Sequence, residues 1–192
     1  MKPAHSRALL PHRDSKSATA LSLLLIIVAG AAVYANALKG EFLWDDVHLV
    51  ENNAFIRDAS HTPEIFTTDV GAGAGEAYRA YRPLQTLTYL FDYVFTKTDP
   101  AGYHLGNILW HVLSALALFW FIRLVFGDHL LALVTALLFV VHPVHTEAVT
   151  YISGRADPLS TFFILLTLIF YIKALDGRAV PFALLAVLSY AA

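Results

Sequence analysis

Four apolar stretches, each without Asp, Glu, Lys or Arg, alternate with polar connections along this chain. The first lies between Lys16 and Lys39 and has the length of a transmembrane helix, which takes about 20 residues. The second runs from Tyr103 to Ile122 and closes at Arg123. Gly127-Asp128-His129 then predicts a tight turn into a third span from His129 to Val141, which His142-Pro143 ends. A fourth, from Pro158 to Ile172, is short and closes at Lys173. A fifth begins at Ala179 and reaches Ala192 before it is long enough to cross a bilayer, so the sequence reads as part of a longer protein.

The long polar segment, about 39–102, has its own pattern. Leu84, Leu87, Leu90, Phe91 and Val94 recur at helical spacing behind Arg82 and Pro83, which predicts an amphipathic helix on the membrane surface. Asn52-Asn53 and Thr62-Pro63 divide the rest into short pieces, and Gly71-Ala72-Gly73-Ala74-Gly75 reads as a flexible hinge. The fold class is therefore all-α: a multi-pass transmembrane bundle with a long first outer loop containing short amphipathic helices. Residues 1–17 form a basic tail, and 18–192 the membrane domain.

Composition agrees with the pattern. The 192 residues are 57% hydrophobic and 15% charged, with mean hydropathy +0.59, against about a quarter charged in soluble domains. Lys2, Arg7, Arg13 and Lys16 outnumber Asp14 before the first span, which keeps the N-terminus cytoplasmic and puts residue 40 outside. The rival reading is a cleavable signal peptide with a small-x-small site at Ala35-Asn36-Ala37, behind an apolar run longer than the usual 7–15 residues. Ten acids and five bases between Lys39 and Ala101 leave no basic stripe for nucleic acid. The absence of cysteine excludes disulfides, thiolate metal sites and Cys nucleophiles.

This topology gathers the chemistry-bearing residues on one outer face. Asp45-Asp46 follows the first span; a carboxylate there can deprotonate a hydroxyl or hold a divalent cation such as Mg or Mn, with one acid acting and the other orienting. A solvated loop pair capping a short helix is the plainer reading. His104, Asn107 and His111 share one face of the second span, either bonding a neighbouring helix or facing a cavity, with His104 placed to meet a phosphate. His142, His145 and Glu147 make a dense polar cluster, but Pro143 breaks the spacing a zinc protease uses. Arg82 and Arg155 suit phosphate, while Arg155 with Asp157 also fits an internal salt bridge.

Phe42-Leu43-Trp44-Asp45-Asp46, Tyr81-Arg82-Pro83-Leu84, Gly102-Tyr103-His104 and the run from His142 to Asp157 occur in that order. Together they resemble the transmembrane and tetratricopeptide-repeat O-mannosyltransferases and their bacterial relatives, from about residue 20 onward. The resemblance implies a GT-C type fold and an inverting glycosyltransferase. Its donor would be a polyprenyl-phosphate sugar, with mannose or a similar sugar moving to a hydroxyl on a protein or glycolipid acceptor. It implies that Asp45 and Asp46 are catalytic. It also implies tetratricopeptide repeats after the membrane part, of which this sequence contains none. Activated nucleotide sugars are charged and cytoplasmic, so an outward site takes its sugar more plausibly from a lipid phosphate, whose departing charge needs Arg, His or a cation. The bacterial inner membrane is the favoured location, with the endoplasmic reticulum second. A transporter built around His111 and Asn107, or a non-catalytic scaffold, are the other classes the pattern admits.

Overall fold

The computed structural model describes residues 15–175 together with Pro181 and Leu184; the basic tail before Ser15 and, apart from those two residues, the expected fifth span from Ala179 lie outside the described residues. Among the described residues every regular element is helical, and the chain is an all-α membrane bundle. Three helical stretches are long and apolar enough to cross a membrane, Lys16–Lys39, Pro100–Phe126 and Ile152–Leu175; His129–Val141 and Pro143–Thr150, bent by 46°, reach that length only when counted as one broken span.

Local signals set the helix ends. α1 (Lys16–Tyr34) starts where the Ser15 hydroxyl accepts the Ala18 N–H, and continues as a 3₁₀ turn through Lys39. The outer segment holds α2 (Thr62–Ile65) and α3 (Pro83–Thr96), each with proline in its first turn, where no N–H is missed. α4 (Pro100–Phe126) is capped by Asp99 and stops at Gly127, which takes the left-handed conformation that ends many helices. Asp128 caps α5 (His129–Val141), and the His142 ring accepts the Val144 N–H to open the next turn after Pro143. The connection then folds as α6 (Thr146–Thr150) and a 3₁₀ turn, Ile152–Arg155, leading into α7 (Ala156–Leu175).

α4 is the central column, packed by α1, α5 and α7. Ile26, Tyr34, Val112, Phe119 and Val140 bury the α1–α4–α5 seam, with Ala115, Ala132 and Ala136 permitting close approach. Gly30 belongs to that seam, since a Cβ there would sit 2.7 Å from methyls of both Val112 and Val140. Above it, Leu49, Val50, Ile56, Val70, Tyr89, Tyr103 and Ile152 form a second core. This core fastens the outer segment onto the end of α4.

One expectation changes here. The glycine-alanine tract is an ordered 3₁₀ turn lying on Asn53 and Phe55, in place of a hinge. Asp69 holds it by accepting the Gly71, Tyr78 and Ala80 N–H groups. α3 is amphipathic as expected, with Tyr89 inward and Phe91, Val94 and Phe95 exposed.

Candidate active site

The chain leaves α1 and makes a four-residue turn, Leu43 to Asp46, closed by the Asp46 N–H on the Leu43 carbonyl at 2.9 Å. Trp44, its second residue, has φ 48°, a value most turns reserve for glycine. The turn sends its two carboxylates in different directions. Asp46 is 1% exposed and Asp45 half-buried. One oxygen of Asp46 accepts the Leu43 N–H at 3.1 Å, and the other accepts both the backbone N–H of Ser153, at 2.8 Å, and its hydroxyl. Burial pushes the Asp46 carboxyl above the usual carboxylate range, while those donors and nearby His104 pull the other way. Asp45 instead faces two phenols. Tyr78 donates to its carboxylate at 3.2 Å, and the Asp45 N–H donates to the Tyr151 oxygen at 3.2 Å. Burial and the Asp45 charge both raise the Tyr78 phenol, so it remains a proton donor at neutral pH.

Arg155 lies two residues beyond Ser153, and its surroundings overturn both readings of it as a phosphate ligand and as the partner of Asp157. It is 0% exposed. Its guanidinium is engaged by Asp92 of α3 at 2.5 Å, the Asn107 side chain at 2.7 Å, Thr88 at 3.2 Å and the Tyr103 carbonyl at 2.7 Å. No phosphate reaches a fork enclosed in this way, and Asp157 is exposed elsewhere. Asn107 is likewise structural: its amide donates to the carbonyls of Tyr151 and Ile152 while its oxygen takes Arg155. Gln85 donates to the Ser153 carbonyl and Tyr89 to that of Ile152, completing the cradle beneath Asp46.

The histidines divide. His104 is buried, with neither ring nitrogen in a hydrogen bond of good geometry, and its Nε2 edge lies against Gly40 beside Asp46. His111 bonds the Val140 carbonyl at 3.2 Å and stacks on Phe139, an interhelical role. His145 packs on the same Phe139, and His142 is exposed beside it. Glu147 and Arg82 are exposed. No group of three or more His, Asp or Glu among the described residues is arranged to hold a metal ion. Asp46 is turned inward with both its oxygens accepting hydrogen bonds, while Asp45 faces the phenols.

Comparison with known proteins bears on this arrangement. The chain is 41% identical over 161 residues to protein O-mannosyl-transferase TMTC1 of Homo sapiens, a match covering 80% of this chain and 18% of that protein. It is 32% identical over 185 residues to protein O-mannosyl-transferase F38B6.6 of Caenorhabditis elegans, covering 93% and 27%. It is 36% identical over 153 residues to TMTC3 of Mus musculus, covering 78% and 16%. The chain belongs to the TMTC family. It spans between 16% and 27% of the length of these three TMTC relatives. No family model and no solved structure matches it. Four residues that shape the site in this TMTC chain went unassigned in the sequence: Ser153, Tyr78, Tyr151 and Gln85. Tyr151 and Ser153 shortly precede Arg155 in the run that carries the resemblance, which was the available signal; nothing local marks Tyr78 or Gln85.

Proposed function

We propose that this chain supplies the catalytic rim of a membrane glycosyltransferase that moves mannose from a polyprenyl-phosphate carrier to an acceptor hydroxyl. The rim faces the outer or luminal side. One observation carries the reading: adjacent aspartates are split by a strained turn, one locked inward by Ser153 and the other left half-exposed between two phenols. Asp45 is the general base. It takes the proton of the acceptor hydroxyl, the freed oxygen attacks the anomeric carbon, and the bond from that carbon to the carrier phosphate breaks. The phosphate leaves with the bonding electrons, and the attack from the opposite face inverts the anomeric centre. Asp46 does not touch substrate; it anchors the turn that aims Asp45. Exposed Arg82, which opens the helix carrying Gln85, is the cation offered to the departing phosphate. The acceptor is a protein, as the names of the TMTC relatives indicate for those proteins.

The transporter reading loses its support, because His111 and Asn107 are bonded within the protein. The test is transfer by the full-length protein in membranes from a mannosyl-phosphoryl polyprenol. Asp45→Asn is expected to lower turnover by about 10²–10⁴-fold, the usual worth of a positioned base, with insertion and expression unchanged. Unaltered turnover in that variant refutes the assignment.

A further inference from the structure

Trp44 gains nothing visible from folding. It is 82% exposed, and its φ of 48° strains a bulky side chain. Its position is nevertheless defined. The indole meets the Tyr151 ring edge to face, with centroids 5.9 Å apart and planes at 72°. Tyr151 in turn accepts the Asp45 N–H, and Tyr78 reaches the Asp45 carboxylate. A flat apolar surface thus stands one residue from a half-exposed carboxylate, with two phenol oxygens beside it.

That combination matches one ligand chemistry closely. A pyranose ring has an apolar face of C–H bonds and a rim of hydroxyls. The face lies well on a polarisable aromatic plane, and the rim is met by carboxylate and phenol oxygens. We infer that Trp44 and Tyr151 form a platform for the sugar ring of the donor, with the hydroxyls of that sugar directed at Asp45 and the phenols. Tryptophan is also common at membrane interfaces as an anchor. An anchor, however, requires neither a left-handed backbone nor a ring fixed against the residue that holds the Asp45 backbone. The inference rests on the transfer reading above and adds to it the surface that holds the sugar.

The decisive comparison is Trp44→Phe against Trp44→Leu in the full-length protein, because leucine keeps the affinity for lipid and discards the flat face. Donor KM for a mannosyl-phosphoryl polyprenol of fixed chain length is expected to rise about tenfold in Trp44→Leu, the scale of one aromatic contact. In Trp44→Phe it should remain within about threefold of wild type, and kcat should change less than KM in both. Equal KM in Trp44→Leu and wild type overturns the platform, and so does an equal rise in both variants. A second measurement needs no turnover. Saturation-transfer NMR of methyl α-D-mannopyranoside should show the sugar C–H protons contacting the wild-type protein, with the signal lost in Trp44→Leu. Absence of that contact overturns the platform even where transfer is intact, whereas full turnover in Asp45→Asn would refute the transfer reading and leave the binding result standing.

Discussion

At the scale of single residues, Asp46 shows how a carboxylate can be held in place without being made a strong acid. Three donor groups fix its oxygens, yet burial outweighs them and its pKa lies above the usual value. The consequence for stability has a definite sign. Below about pH 3.9, the ordinary aspartate value, the group is neutral in both folded and unfolded chains and burial costs little. As pH rises through the raised folded value, the folded protein must ionise a buried group, so this contribution to stability falls and then levels off. Thermal unfolding from pH 4 to 7 should show wild type losing ground relative to Asp46→Asn as pH rises. A difference independent of pH would contradict the shift. Ser153→Ala removes the hydroxyl donor and keeps the N–H, at an expected cost of about 1.5–3 kcal/mol, as for a hydrogen bond to a charged group. It should also raise the Asp46 pKa further, extending the fall in stability to higher pH.

Among the elements, one guanidinium bonds both α3 and α4 from the Ile152–Arg155 turn. Asp92 is raised by burial and drawn back by Arg155, so each group compensates the other's loss of water. Removing one partner, as in Arg155→Met or Asp92→Asn, should destabilise the protein by about 3–5 kcal/mol. Arg155→Lys should fail to restore it, because an ammonium cannot serve Asn107, Asp92 and the Tyr103 carbonyl together. Chemical unfolding of the three variants checks this, and a cost under about 1 kcal/mol for Arg155→Met would rule the pin out. The helices themselves were legible in the sequence because their signals are local. Ser15, Asp99 and Asp128 announce helix starts, Gly127 and Pro143 announce stops, and α5 falls on the expected His129 to Val141. The pairings were not legible. Ser153 meets Asp46 across 107 positions and Arg155 meets Asn107 across 48, and no periodicity encodes which long-range partner a buried charge will choose. Arg155 therefore read as a phosphate ligand, its type being right for one and its burial invisible. Asp157 stood nearby as a partner only because it is close in sequence.

At the scale of the molecule, the membrane orients everything else. Tyr78, Tyr151 and the split aspartates gather at one end of the bundle, while Arg123 and Lys173 close α4 and α7 at the other. From the excess of base over acid before the first span we propose that the second end faces the cytoplasm. The proposed outward site rests on that orientation, and so does the proposed lipid-borne donor, since soluble nucleotide sugars are made on the opposite side. The absence of cysteine from this chain makes the orientation directly measurable. Glu76→Cys, exposed near the aspartate turn, and Phe126→Cys, exposed at the far end of α4, each place one thiol in a cysteine-free background. In sealed vesicles of known sidedness, a membrane-impermeant maleimide added to the outer or luminal face should label Glu76→Cys and spare Phe126→Cys until detergent is added. The reverse pattern would put the carboxylates on the cytoplasmic side, where a nucleotide sugar is the available donor, and the reaction scheme would have to change with them. Labelling of both thiols in intact vesicles would mean that α4 does not cross, and the bundle topology would fall with it.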